Sequence, residues 1–160
     1  MRENKDVSIL VVDDEEGLRK AIAFDFQRKG FRVYEAASGR EAFELVKKNS
    51  IDVVLTDVRM PGGDGIELLD NIKERHPSLP VVMFITGFAD LTLEDAYHKG
   101  ADAVFEKPFD RKALMAAVLK AVMDKSELWS GRRDVRVDVD FNIELKFDDL
   151  NEAIKGKVLN

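Results

Sequence analysis

From Val7 to about Lys125, short and nearly unbroken apolar runs alternate with stretches of helical periodicity, and few folds accept that alternation. The runs fall near Ser8–Val12, Phe31–Glu35, Val53–Thr56, Val81–Ile85 and Ala103–Phe105. The helical stretches fall near Gly17–Lys29, Gly39–Lys48, Gly65–Glu74, Leu91–Lys99 and Asp110–Lys125. A strand that is apolar on both faces has to be covered on both, which is the situation of a strand in a parallel sheet flanked by helices. Five such β-then-α units predict an α/β domain with a doubly wound, five-stranded parallel sheet.

The residues between these elements agree. Gly30 and Gly100 follow helical stretches and suit left-handed C-terminal caps. Ser38 and Asp110 precede helices as N-caps. Pro61-Gly62-Gly63 marks a turn. Leu114, Val118, Ala121 and Val122 form one apolar stripe on the last helix.

Size and charge exclude several classes. The 160 residues hold one ordinary domain with roughly 30 to 40 to spare. A net charge of −6 argues against broad binding to nucleic acid or to membrane surfaces. The absence of cysteine removes disulfides, a thiolate nucleophile and thiolate zinc sites. His76 and His98 match no metal-ligand spacing. The polar start MRENKDVS and the shortness of every apolar run predict neither a signal peptide nor a membrane span, hence a cytoplasmic protein.

Four of the apolar runs end on residues that phosphoryl chemistry uses. SILVV leads into Asp13 and Asp14, IDVVLT into Asp57, VVMFI into Thr86 and AVFE into Lys107. In open α/β sheets the carboxyl ends of the strands line the ligand crevice, so these side chains would share one site. Singly, each has an ordinary explanation: DDEE is favourable charge at a helix start, and an aspartate before Pro-Gly is a common turn residue. Jointly they describe a centre for a divalent cation and a phosphoryl group. A dication and the Lys107 ammonium would neutralise the three carboxylates, and Mg²⁺ is the hard cation that takes carboxylate and phosphate oxygens. Asp57 ends the third strand, near the middle of the crevice, and a carboxylate can attack phosphorus to give an acyl phosphate. Thr86, before the small Gly87, could offer its hydroxyl to a phosphoryl oxygen.

The segments VVDDEEGLRKAI, LTDVRMPGGDGIELL, FITGFAD and GADAVFEKPF resemble the receiver domain of two-component response regulators, over about residues 7–125. The resemblance implies a flavodoxin-like receiver fold in which Asp57 is the phosphoacceptor and a phosphohistidine on a sensor histidine kinase is the donor. It implies that Asp14, Asp57 and the backbone carbonyl of Arg59 hold Mg²⁺, with Asp13 one water further out. Thr86 and Lys107 would contact the phosphoryl group, and the Lys107–Pro108 bond would be cis. It also implies a switch rather than an enzyme. The alternative is an aspartyl-nucleophile phosphatase, but such enzymes place an acid/base aspartate two residues after the nucleophile, where this chain has Arg59. One departure stands out. The family carries an aromatic residue three positions before the lysine, and here that position is Val104. Phe105 follows, but adjacent strand residues face opposite ways, so it cannot substitute. The switch through Thr86, Val104 and Phe105 is therefore predicted to be weaker or rerouted.

The pattern changes after Lys125. Residues 126–134 read as a linker, and 135–160 as a β-rich fragment. Val135, Val137, Val139, Phe141, Ile143, Leu145 and Phe147 alternate as in a strand with one buried face. Arg132 and Arg136 have the Arg-x-x-x-Arg spacing that resembles the opening of a PilZ domain, which implies a link to cyclic di-GMP. A fragment of this length would lack most of that domain's barrel and half of its ligand motif, so weak dinucleotide binding is expected. Six basic and seven acidic residues in 131–160 argue against a DNA reader. A lone strand pair is marginal in water, so it is expected to pair with a second copy, giving a homodimer, or to pack on the receiver.

Overall fold

The computed structural model describes residues 3–76, 80–87 and 92–124. The strands are β1 (Ser8–Val12), β2 (Arg32–Ala36), β3 (Val53–Thr56), β4 (Val81–Thr86) and β5 (Ala103–Glu106). The helices are α1 (Glu16–Arg28), α2 (Gly39–Lys48), α3 (Gly65–Arg75), α4 (Leu93–His98) and α5 (Arg111–Asp124). The strands form one all-parallel sheet in the order β2-β1-β3-β4-β5, with helices on both sides. The doubly wound α/β architecture expected from the sequence is therefore present.

Strand alternation divides the core in two. Leu10, Val12, Val54, Val82 and Phe84 face one way and pack with Ala42 of α2, Leu68, Leu69 and Ile72 of α3 and Ala96 of α4. Ile9, Val11, Val53, Leu55, Val81 and Met83 face the other way and are equally buried, on the side where Ile22, Ala23 and Phe26 of α1 are buried. α5 belongs to a second unit, described by itself, and buries Leu114, Ala117, Val118 and Val122.

The caps are those the sequence predicts. Ser38 accepts from Glu41 N–H at 3.2 Å, and Asp110 Oδ1 accepts from Lys112 N–H at 2.9 Å. Gly30 and Gly100 have φ of 96° and 107°, a region closed to most side chains. Several boundaries shift by one or two residues, and at the sheet's edge β2 begins at Arg32 rather than Phe31. Phe31 stacks edge-on against Phe26 with ring centroids 5.7 Å apart, and its N–H donates to the Phe26 carbonyl. It closes the end of α1 instead of opening the strand.

At the amino ends of the strands, two buried carboxylates hold the sheet together. Asp52 Oδ2 accepts the Ser8 N–H and Asp102 Oδ2 accepts the Val82 N–H, each at 2.8 Å. Lys73 Nζ lies 3.9 Å from Asp102. Replacing either aspartate by alanine strands a buried backbone N–H, which costs about 1–3 kcal/mol. Urea denaturation of Asp52→Ala and Asp102→Ala should show that loss, whereas Asp52→Asn, which keeps an acceptor oxygen, should recover most of it.

The linker 126–134 and the fragment 135–160, with Arg132, Arg136 and the expected dimerising strand, lie outside the described residues.

Candidate functional site

The chain leaves β1 toward β2 on one side and returns to place β3 on the other, so a crevice opens between the carboxyl ends of β1 and β3. Val12 and Thr56 are in register there. The ladder runs one step further: Asp57 N–H donates to the Val12 carbonyl at 3.0 Å, and Asp13 N–H to the Ala36 carbonyl at 3.1 Å. Parallel pairing thus sets both aspartates at the same height on the rim.

Asp13, Asp14 and Asp57 each offer a carboxylate oxygen, and the three oxygens lie within 4.8 Å of one another. Asp13 and Asp57 are buried and Asp14 is exposed. Lys107 reaches in from the end of β5. Its Nζ donates to Asp57 Oδ2 at 3.0 Å and to Asp13 Oδ2 at 3.1 Å, with Glu15 Oε1 4.0 Å away. The other oxygens of these two aspartates accept backbone N–H groups, Asp57 Oδ1 from Val58 at 2.7 Å and Asp13 Oδ1 from Glu15 at 2.8 Å. Lys107 N–H in turn donates to the Thr86 carbonyl at 2.8 Å, and the Lys107–Pro108 bond is cis.

Burial disfavours the charged form of Lys107, but its hydrogen bonds to Asp57 and Asp13 and their negative charges outweigh it, so its pKa is raised. The folded value lies above the unfolded one. The stability Lys107 contributes is therefore present in full below the ordinary 10.5 and is lost as pH rises through the folded value. Denaturation midpoints of metal-free protein should fall in that alkaline window for the wild type, and the fall should be smaller in Lys107→Met.

The ammonium offsets one of three clustered carboxylates. Hard oxygen donors at this spacing suit one small dication, so the residues present fit Mg²⁺. Thr86 is buried at the end of β4, with Gly87 beyond it lying along the Lys107 stem. Arg59 is exposed two residues after Asp57. Val104 pairs with Phe84 in the β4–β5 register and packs into the α2–α3–α4 side of the core, whereas Phe105 pairs with Ile85. Val104 and Phe105 thus occupy opposite faces, as the alternation requires, and Val104 shares its face with Thr86.

Three contributions were not visible in sequence. Glu15 lies beside Lys107. Arg19 donates to the Asp13 carbonyl at 2.9 Å while paired with Glu35. Gly39 and Gly65 open α2 and α3 where the loop after Asp57 passes: Gly39 N–H donates to the Gly63 carbonyl at 2.8 Å, and a Cβ on Gly65 would collide with the Asp57 carbonyl. None of these follows from spacing along the chain, because each joins segments brought together by the fold.

Among the described residues no helix is long and apolar enough to cross a membrane. The family model for the response regulator receiver domain matches residues 9–119. The transcriptional regulatory protein SrrA of Staphylococcus aureus is 30% identical over 119 residues, which cover 74% of this chain and 48% of the relative. The chain therefore spans about half the length of the curated relatives it matches. A receiver domain protein from Clostridium thermocellum aligns with a TM-score of 0.69 at 34% identity, covering 76% of this chain and 98% of that one. The CheX-CheY-BeF3-Mg complex from Borrelia burgdorferi aligns at 0.66 and 33% identity, covering 71% and 87%. The family match ends before Arg132 and Arg136. With the parallel sheet, the acidic rim and these likenesses together, the chain belongs to the response regulator receiver domain family.

Proposed function

We propose that this chain is the phosphoacceptor switch of a cytoplasmic two-component relay, with Asp57 receiving a phosphoryl group from a phosphohistidine on a sensor histidine kinase. The observation that carries this reading is the Lys107 ammonium bridging Asp57 and Asp13 inside a three-carboxylate cluster. Receiver domains of this family bind Mg²⁺ at their acidic pocket and are partnered by sensor histidine kinases. The Borrelia structure of a related chain, whose name records Mg²⁺ and beryllium fluoride, supports the same assignment here.

Asp14, Asp57 and the Arg59 carbonyl would hold Mg²⁺, with Asp13 reached through water. When bound, the ion would supply positive charge against the phosphoryl oxygens. The chain's own groups do the rest. An Asp57 oxygen attacks phosphorus as the bond to the donor nitrogen breaks, giving an acyl phosphate and free imidazole. Lys107, held in its charged form, moves its ammonium from the carboxylate to a phosphoryl oxygen. The Thr86 hydroxyl binds another of those oxygens, and its shift passes to the face shared with Val104. With valine in place of a ring, we expect that signal to be weak or to leave by another route.

Incubation with a small phosphodonor and Mg²⁺, followed by mass spectrometry, tests the proposal. A switch accumulates one slowly lost phosphoryl group per chain on Asp57. Steady release of inorganic phosphate without accumulation would instead indicate a phosphatase.

A further inference from the structure

Arg19 touches none of the groups that the proposed reaction uses, yet its guanidinium reaches the acidic rim. One terminal nitrogen, Nη1, donates to the Asp13 carbonyl at 2.9 Å, and Nε donates to Glu35 Oε1 at 3.1 Å. Because Arg19 lies on α1 and Glu35 on β2, the pair spans the end of β1. The Arg19 side chain is 14% exposed, so it is a fixed strut rather than a solvated surface charge.

What the strut holds follows from the other contacts of Asp13. Its N–H is held by Ala36, its Oδ1 by Glu15 N–H and its Oδ2 by Lys107. The carbonyl, held by Arg19, is the end that leads into Asp14. A peptide unit is planar, so fixing the Asp13 oxygen also fixes the Asp14 N–H and limits where the Asp14 carboxylate can point. Asp14 is the exposed member of the cluster, on the side where the body of the protein constrains it least.

We propose that Arg19, braced by Glu35, is a positioning residue that orients the Asp13–Asp14 peptide and so sets the affinity of the acidic cluster for a divalent cation. The proposal rests on reading that cluster as the Mg²⁺ site. Simple charge repulsion makes the opposite prediction, because deleting a nearby positive group should tighten cation binding. The sign of the change therefore decides.

The test is calorimetric titration of Mg²⁺ into the metal-free full chain, for wild type, Arg19→Met, Glu35→Gln and Lys20→Met, with thermal midpoints recorded separately. Arg19→Met should raise the Kd by about 10-fold, at the low end of what outer-shell partners contribute, and Glu35→Gln by roughly 3-fold. Lys20 also approaches Glu35, at 3.4 Å, but from an exposed position, and Lys20→Met should leave the Kd unchanged. In phosphodonor labelling of Arg19→Met, the half-saturating Mg²⁺ should rise by the same factor. At saturating Mg²⁺ its rate should return to within about 2-fold of wild type, since the reacting groups are untouched. An unchanged or lower Kd in folded Arg19→Met overturns the proposal, and if that variant does not fold, an unchanged Kd in Glu35→Gln does so. A wild type that binds no Mg²⁺ rejects the reading of the acidic cluster itself, a result distinct from normal wild-type binding with indifferent variants.

Discussion

Asp57→Asn should lower phosphoryl incorporation by at least about 10³-fold while leaving the protein folded, because the change removes the proposed nucleophile and little else. Asparagine has the same shape and keeps an oxygen that can accept the Val58 N–H, now held at 2.7 Å. Lys107 keeps Asp13 as its partner at 3.1 Å. Mass spectrometry after phosphodonor treatment should show no added phosphoryl group, with a thermal midpoint close to wild type. Phosphate appearing on another residue of the variant would mean that the nucleophile has been misassigned.

The second large effect is expected at a residue with no side chain. Gly65 opens α3 directly beneath the loop that follows Asp57, and its N–H donates to the Val58 carbonyl at 2.8 Å. A Cβ there would collide with the Asp57 carbonyl and stand 3.1 Å from Val58 Cα. Those are backbone atoms and cannot rotate aside, so Gly65→Ala should cost about 3 kcal/mol, the upper part of the usual overpacking range. The displacement falls on Asp57 itself, and an error near 1 Å in a reacting group costs on the order of 10²-fold in rate. Gly17→Ala is the matched comparison. It adds the same methyl to α1 where nothing lies within 4 Å, and should stabilise by about 0.5–1 kcal/mol. Chemical denaturation and labelling rates of the two variants should move apart, and equal behaviour would show that the loop yields without cost.

The fold was legible because the runs of β1, β3 and β4 are apolar on both faces and four of the five helices carry a side-chain N-cap. Ser38 and Asp110 announce helices locally, and local signals survive in sequence. The acidic rim was legible for a related reason: parallel strands deliver their carboxyl ends to one edge, so Asp13, Asp14, Asp57 and Lys107 meet whatever the details of packing. Phe31 was misplaced by one residue because a buried aromatic that seals a helix end has the same composition as one that begins a strand. The Arg19–Glu35 brace and the Gly65 contact were invisible, since neither residue has a periodic or local signal. Each derives its role from a segment far away along the chain.

The two rims of this sheet spend their carboxylates differently. At one, Asp52 and Asp102 accept backbone amides of neighbouring strands, with Lys73 3.9 Å from Asp102. At the other, acids crowd around a single ammonium. Tenacity and reactivity are therefore housed at opposite poles, a strand's length apart, and can be tuned separately. A variant library confined to the loops beyond Val12 and Thr56 could retune cation preference or the proposed phosphoryl lifetime while the anchoring pole keeps the scaffold standing.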